Sequence, residues 1–279
     1  MTNPIADPLV EVTDTDSASP LVHLEASPDG VAYVTLNRPQ RRNAFNAELI
    51  AALHEAFETL HGAEGVRVVF LRGTGGTFSA GADLEWMRDA IERTESDNRD
   101  DAMQMAKMLK SLWDIPALTV ALVEGGAFGG GAGLAAACDL AVSTADAKFS
   151  FSEVKLGIIA ATISPYVVAA VGPRRARALF ATGKLFDAAE AEKVGLISEV
   201  VADAEALSAA AERIAGEMMA CGPDAVADSK KLVMDVAYRP IDEVMDETAR
   251  RIARARVSEE GQEGVRAFLD KRKPSWNAG

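Results

Sequence analysis

The chain has 279 residues, 48% of them hydrophobic, and a formal net charge of −13 at pH 7. This size and apolar content can fill one large core, whereas the negative charge argues against nucleic acid as a partner. Because no apolar stretch is long enough to cross a bilayer and the N-terminus lacks a basic-then-apolar signal pattern, we expect a cytoplasmic protein without membrane contact.

The chain begins with a predicted arm, a hairpin and a basic loop. Residues 1–20 are acidic, polar and interrupted by proline, which predicts a disordered arm. Two apolar runs at 21–26 and 31–36 flank SPDG, so an antiparallel hairpin should follow. The loop NRPQRRN at 37–43 comes next, and its arginines could be solvated surface or could bind an anion. Residues 47–60 have the apolar spacing of a helix.

A second strand-and-turn unit follows this helix. The apolar run 66–71 predicts a buried strand, and GTFSAGADLEWM at 76–87 predicts a turn of small residues and then a helix that starts with an acidic residue. Residues 92–107 are charged and rich in methionine, which indicates a helix that covers the core. We expect pocket-lining residues in this region only around Trp86 and Met87.

The stretch 118–153 carries the most specific local pattern. An apolar run at 118–123 predicts a buried strand, a glycine-rich turn follows, and GAGLAAACD predicts a short buried helix from about Gly130. A helix entered through glycines presents unpaired N–H groups and the positive end of its dipole at its first turn. Two such turns could aim two N–H groups at one oxygen, which is the geometry of an oxyanion hole.

Other interpretations of these glycines exist. A phosphate-binding P-loop requires Gly-Lys-Ser/Thr at the start of the helix, and no lysine follows here. A dinucleotide fingerprint is partly matched by Gly131, Gly133 and Ala136, but the tight turn and the later acidic residue are missing. The plain structural alternative is that the glycines only let helix and strand pack closely.

Helices and strands alternate beyond Glu153 and then give way to helices alone. This alternation predicts an α/β layered core with crossover connections. We divide the chain into the arm at 1–20, the core at 21–203 and a helical segment at 204–279. The predicted elements are helices at 164–172, 174–183 and 187–194, a strand at 196–201, and helices at 204–220, 224–236, 241–255 and 258–269.

Several motifs in one order then identify a relationship. The motifs are NRPQRRNAFN at 37–46, SAGADL at 79–84, AFGGGAGLAAACDLAV at 127–142, SEVKLGI at 152–158 and FLDKRKPSW at 268–276. With them the chain resembles the crotonase (enoyl-CoA hydratase/isomerase) superfamily over about residues 23–276. The resemblance implies an α/β fold with a spiral core of ββα turns and a C-terminal helical segment that builds a homotrimer or a dimer of trimers.

The resemblance also assigns roles to single residues. It implies that the N–H groups of Ala82 and Gly130 bind the oxygen of an acyl-CoA thioester and that Glu153 is the catalytic carboxylate. The pocket residues that it implies are Trp86, Met87, Gly129 and Gly133. The residues that it places at CoA are Arg41, Arg42, Ala80, Asp83, Phe268 and Lys271, with Lys271 near the adenine end in a neighbouring subunit. No separate cofactor is implied, because coenzyme A is part of the substrate. We expect no metal, because no cluster of histidine, cysteine and carboxylate residues has the spacing of metal ligands.

One departure from the family pattern bears on the reaction. The first of the two glutamates usual in hydratases falls on Gly133, and we expect the missing side chain to leave room for a bulkier or polar substrate substituent. SAGADLEWM, GGGAGL and SEVKLGIIAATISPYV resemble the subgroup that hydrates branched glutaconyl-CoA esters, such as 3-methylglutaconyl-CoA in leucine breakdown or its isoprenoid-chain analogue. The hypothesis is an enoyl-CoA hydratase in which Glu153 alone moves the proton. The alternatives are a Δ3,Δ2-enoyl-CoA isomerase, a non-catalytic acyl-CoA-binding protein and, last, a Rossmann oxidoreductase.

Overall fold

A computed structural model describes residues 20–277, which form two β-sheets surrounded by helices. The predicted hairpin, the buried strand at 118–123 and the glycine-entered helix are all present. Three strands of three residues each were not predicted, because so few residues give no periodicity. The strands are β1 Val22–Ala26, β2 Val31–Leu36, β3 Val68–Gly73, β4 Leu118–Val123, β5 Gly126–Phe128, β6 Leu140–Thr144, β7 Lys148–Ser150, β8 Leu185–Asp187 and β9 Glu199–Val201.

The helices confirm the predicted change from alternating elements to helices alone. After β9, the chain as far as residue 277 contains helices and one short 3-10 turn. The helices are α1 Ala47–Gly62, α2 Leu84–Ile91, α3 Glu95–Asp114, α4 Gly130–Ala136, α5 Ser164–Val171, α6 Pro173–Thr182, α7 Ala188–Val194, α8 Ala204–Met219, α9 Pro223–Val236, α10 Ile241–Val257 and α11 Glu259–Leu269.

The two sheets give the spiral architecture. The larger sheet has the order β1-β2-β3-β4-β6-β9, in which the β1–β2 hairpin is antiparallel and the other neighbours are parallel. The smaller sheet has the order β5-β7-β8. Each of β4 and β6 is followed by a short strand of the other sheet, so the chain winds from sheet to sheet. This is the ββα spiral that the resemblance implied.

The central strands of the larger sheet are buried on both faces, as strands of parallel sheets usually are. Along β3, Val69 and Leu71 point into the main core, whereas Val68 and Phe70 point to the opposite face. On that second face they pack against buried residues of α8, including Ile214. The alternation follows from the two-residue period of a strand.

The last three helices contribute little to either core. No residue of α9 is buried, and α10 and α11 bury one residue each. The predicted boundary between core and helical segment stays a prediction, and the predicted arm, apart from Pro20, lies outside the described residues. Among residues 20–277, no helix combines the length and the apolar character needed to cross a membrane.

A half-buried lysine attaches α9 to the turn behind the glycine-rich stretch. The Nζ atom of Lys230 lies 2.6 Å from Asp139 Oδ2 and donates to the carbonyl oxygens of Ile115 and Ala117 at 2.7 and 2.8 Å. Thr119 donates to the same Asp139 oxygen through its N–H and its hydroxyl, both at 2.8 Å. One side chain therefore joins the C-terminal helices to the segment that leads into β4.

We expect Lys230→Met to lower the free energy of unfolding by about 1–3 kcal/mol, because it leaves a carboxylate and two carbonyl oxygens without their donor. Urea denaturation at fixed protein concentration measures the change. Lys231→Met is the matched control, since Lys231 is exposed and has no ion pair within residues 20–277. An equal effect of the two substitutions would contradict this role of Lys230.

Candidate active site

The two signature segments meet through their main chains. Ser79 and Ala127 form a parallel bridge, in which the N–H of Ser79 donates to Gly126 at 3.1 Å and the N–H of Phe128 donates to Ser79 at 3.0 Å. A Cβ at Gly131 would lie 2.7 Å from the Cβ of Ser79, so only glycine permits this approach. The pairing places the SAGAD turn beside the first turn of α4.

The N–H of Ala82 is held free by the residues on either side of it. Ala82 forms an isolated parallel bridge with Phe45, in which the N–H of Phe45 donates to Gly81 at 2.7 Å and the N–H of Asp83 donates to Phe45 at 2.8 Å. Because Phe45 bonds the two flanking residues, the N–H of Ala82 points away from it. Within residues 20–277 this N–H donates no hydrogen bond.

The N–H of Gly130 is also without an acceptor in the described chain. Gly130 is the first residue of α4, and such N–H groups have no partner inside their own helix. A Cβ at Gly130 would lie 3.1 Å from the ring of Phe45 and from the terminal methyl of Met105. Phe45 therefore contacts both donor segments, through its backbone at Ala82 and through its ring at Gly130.

Glu153 brings a carboxyl group to the same place. It follows β7 in a short 3-10 turn, Glu153–Leu156. Its Oε1 atom lies 3.1 Å from the position that a Cβ would take at Gly129, the residue before Gly130. Gly129 has φ 48° and ψ −117°, a conformation that residues with a side chain avoid. The glycine thus permits both the turn and the approach of the carboxyl group.

The environment of Glu153 disfavours its charged form. Its Oε2 atom is buried and has no hydrogen-bond partner in the described chain. Burial raises the pKa of this carboxyl group above its usual value, and a hydrogen bond from its own backbone N–H opposes the shift without cancelling it. A carboxyl group with a raised pKa and a free oxygen is suited to take up and return a proton.

A cavity of about 560 Å³ opens beside Glu153. Its walls are mainly apolar and include Phe151, Phe180, Ile158 and Ile159. An apolar cavity with a few polar groups in its lining is the usual form of a small-molecule site.

The structure corrects one prediction about this region. The missing side chain at Gly133 was expected to leave room for the substrate, but a Cβ at Gly133 would lie 2.1 Å from Cγ2 of Ile163. Ile163 is buried and fills the place that a longer side chain at 133 would need. The expectation of free space at Gly133 is therefore wrong, and the space next to Glu153 lies in the cavity instead.

The predicted CoA residue Asp83 has a structural partner. It is 3% exposed, caps α2 by accepting from the N–H of Glu85, and lies 2.5 Å from Nη1 of Arg38. Burial opposes ionisation of Asp83, but the hydrogen bonds from Arg38 and from the N–H of Glu85 outweigh it and hold its pKa below the usual value. Arg38 also donates to the carbonyl oxygen of Ala44 at 3.0 Å. The pair fixes the SAGAD turn to the basic loop.

Asn43 completes this attachment. Its Nδ2 atom donates to the carbonyl oxygens of Thr74 and Thr77 at 2.9 and 2.7 Å, and its Oδ1 accepts from the N–H of Arg38. The carbonyl oxygen of Asn43 accepts from the hydroxyl of Ser79 at 2.8 Å. Asn43 is fully buried with φ 54°, a left-handed conformation that asparagine tolerates better than most residues.

The other predicted CoA residues lie on the surface around this turn or at the C-terminus. Arg41 pairs with Glu85 at 2.9 Å, and both side chains are exposed. Arg42 is exposed, and its carbonyl oxygen accepts from the N–H of Ala80 at 2.9 Å. Phe268, on α11, is 82% exposed, and Lys271 follows it after the helix. Their contacts with CoA stay a prediction.

The predicted pocket residues Trp86 and Met87 are half-buried on α2. Trp86 packs against the main core, and its indole N–H is buried with no acceptor in the described chain. Sequence reasoning missed Phe45, Met105 and Ile163 at the site. A helical pattern identified the region around Met105 as core-facing, but no local signal places any of these three beside the glycines.

The raised pKa of Glu153 predicts a pH-dependent effect on stability. Below the pKa of the unfolded chain both states are protonated, and the buried carboxyl group costs nothing. The loss of folding stability grows as the pH rises above the unfolded pKa, and it is complete once the pH is above the raised pKa of the folded state. Glu153→Gln removes this cost. We expect the variant to be more stable than wild type by about 1 kcal/mol near pH 8, and by less near pH 5.

Urea denaturation at the two pH values measures this difference. Glu192→Gln is the control, because Glu192 is exposed and has no ion pair within residues 20–277. A stability gain in Glu153→Gln that is the same at both pH values, or that grows toward acid, would contradict a raised pKa.

Comparisons with known proteins agree with the motifs and the geometry. A family model described as enoyl-CoA hydratase/isomerase matches residues 26–279. The crystal structure of an enoyl-CoA hydratase from Shewanella pealeana is 37% identical, covers 92% of this chain and 96% of its own, and has a TM-score of 0.88. AtuE of Pseudomonas aeruginosa is also 37% identical, with coverage of 92% and 99% and a TM-score of 0.88.

A curated relative gives the same result at the level of sequence. An enoyl-CoA hydratase of Alternaria alternata is 32% identical over 86% of this chain and 78% of its own length. The family match, together with the two paired turns, the two free N–H groups and the carboxyl group beside them, shows that this chain belongs to the enoyl-CoA hydratase/isomerase family, the crotonase superfamily.

Proposed function

We propose that this protein is an enoyl-CoA hydratase that adds water across the 2,3 double bond of a branched glutaconyl-CoA thioester, such as 3-methylglutaconyl-CoA. The observation that carries the proposal is the free oxygen of Glu153 beside Gly129, next to the free N–H groups of Ala82 and Gly130. The motifs around Gly133 and Glu153 resemble those of the glutaconyl-CoA hydratase subgroup, and this supports a branched glutaconyl group as the acyl part of the substrate.

One carboxylate is enough for the proposed reaction. Glu153 takes a proton from water while the oxygen of that water bonds to the β-carbon. The electron pair of the double bond moves to the thioester oxygen, where the N–H groups of Ala82 and Gly130 stabilise the negative charge. Each such donor is worth about 3 kcal/mol of barrier. Glu153 then returns its proton to the α-carbon, which completes the addition of water.

The Δ3,Δ2-enoyl-CoA isomerase is the second candidate. It is favoured by Ile163, which occupies the place beside Gly133 where a second carboxyl group would be. Moving a proton between two carbons of the acyl chain also needs only one carboxyl group and the same two N–H donors. We prefer the hydratase, because the motifs around Gly133 and Glu153 resemble those of the glutaconyl-CoA hydratase subgroup.

We also propose that the protein works in the cytoplasm as a homotrimer or a dimer of trimers, with acyl-CoA as its small-molecule partner. Support for self-association comes from large apolar side chains left exposed on α10 and α11, among them Ile241, Val257 and Phe268. Monomeric proteins rarely expose contiguous apolar patches of large area. In this assembly Phe268 and Lys271 would reach the CoA of a neighbouring subunit.

Steady-state turnover of 3-methylglutaconyl-CoA and crotonyl-CoA by wild type and by Glu153→Gln tests the function. Wild type should hydrate the branched diacid ester preferentially, and kcat should fall about 10²- to 10⁴-fold in the variant. Because the base must be ionised, kcat/KM of wild type should fall as the pH drops through the raised pKa of Glu153. Conversion of an unconjugated 3-enoyl-CoA without hydration would favour the isomerase, and no turnover of any ester would refute both enzymes.

The Arg38–Asp83 pair gives a separate prediction about the oxyanion hole. Asp83→Asn keeps a helix-capping side chain but removes the charge that holds the turn of Ala82. We expect kcat to fall about tenfold with KM nearly unchanged, since small displacements of a donor act on the transition state. Asp89→Asn, at an exposed position of α2, is the control. A raised KM with unchanged kcat would indicate instead that Asp83 binds CoA.

A further inference from the structure

One cation lines the cavity beside Glu153. Arg177 lies on α6, which begins after Gly172 and carries three arginines near its start. Of these, Arg175 donates to the carbonyl oxygen of Val194 at 2.9 Å and so joins α6 to the end of α7. Arg177 instead faces the cavity, where it shares the lining with Glu153.

Arg177 has no partner of its own. Within residues 20–277 its guanidinium forms no ion pair and no hydrogen bond. Other exposed arginines, such as Arg174, also have no ion pair in the described chain, but Arg177 is the one arginine in the lining of this cavity. A guanidinium left unpaired at an apolar cavity is available to an anion that enters it.

Arg177 and Glu153 do not neutralise each other. No ion pair joins them. The pKa of Glu153 is raised by burial, whereas a nearby guanidinium would lower it. The two groups therefore occupy separate parts of one cavity, and both stay free for a bound molecule.

The rest of the lining explains why a charged ligand would be selected there. Phe151, Phe180, Ile158 and Ile159 form an apolar wall, and Ser164 adds one hydroxyl group. Arg177, Ile158 and Ile159 are exposed, so the guanidinium lies at the open side of the cavity, where a carboxylate of an entering ligand can reach it. The planar guanidinium can bind a carboxylate through two parallel N–H···O bonds, which a lysine cannot do.

We propose that Arg177 binds the distal carboxylate of the acyl group and thereby selects a glutaconyl-type thioester over an uncharged one. The thioester oxygen lies at the N–H groups of Ala82 and Gly130, the reacting carbons lie beside Glu153, and the far end of the acyl chain reaches Arg177. This inference uses the proposed function for the reaction, but it concerns recognition and can be measured without turnover.

Binding of two saturated thioesters, glutaryl-CoA and butyryl-CoA, tests the proposal by calorimetry. Neither can be hydrated, and they differ in the distal carboxylate. Wild type should bind glutaryl-CoA more tightly, and Arg177→Met should reduce that affinity about 10- to 100-fold while leaving butyryl-CoA within about twofold. Arg177→Lys should recover part of the loss, because it restores the charge without the second hydrogen bond.

Arg174→Met is the matched control, since Arg174 is exposed on the same helix and does not line the cavity. Equal losses for both thioesters in Arg177→Met would show a contact with CoA and overturn the proposal. So would an unchanged ratio of affinities, or the same change in Arg174→Met.

The outcome is independent of the hydratase assignment. If glutaryl-CoA binding depends on Arg177 but 3-methylglutaconyl-CoA is not hydrated, the recognition proposal stands and the proposed reaction fails. If hydration of the diacid ester is preferred by wild type and equally preferred by Arg177→Met, the reaction stands and the role of Arg177 fails.

Discussion

The site depends on the main-chain contact between the SAGAD turn and the first turn of α4. Ser79 pairs with Ala127, and the absence of a side chain at Gly131 lets the two backbones meet. This contact, with the Phe45 bridge to Ala82, leaves two N–H groups without acceptors. Free donors fixed by surrounding hydrogen bonds need no rearrangement when charge develops on a bound oxygen, which is why a preorganised site stabilises it.

The protonation of Glu153 depends on the groups that surround it. Burial raises its pKa, its Oε2 has no partner in the described chain, and Ile163 rather than a second carboxyl group occupies the neighbouring place beside Gly133. An unpaired buried oxygen costs stability, and functional sites commonly carry such a cost. The attachments formed by Arg38, Asn43 and Lys230 lie around the site and hold its backbone in place.

Much of the architecture could be predicted from local patterns. Long amphipathic helices such as α1 and α8 and the apolar strand β4 have enough residues to display a period, so they were predicted within a few residues of their ends. The strands β5, β7 and β8 were missed, because three residues form a strand only through their neighbours in the smaller sheet. The predicted acyl-CoA chemistry rested on glycines and one glutamate whose types and order are visible in the sequence.

The sequence by itself determined the family, the alternation of helices with the longer strands, and the positions of the two turns and of Glu153, because these are encoded by residues close together along the chain. The tertiary structure alone decided what surrounds them. Ile163 fills the space at Gly133, Arg38 reaches Asp83, and Arg177 faces the same cavity as Glu153. Ile163 lies about 30 positions after Gly133, and Asp83 lies 45 positions after Arg38. Arg177 and Glu153 are closer in the chain. Only the packing of helices onto sheets fixes such contacts, since no local propensity specifies which distant side chains will meet.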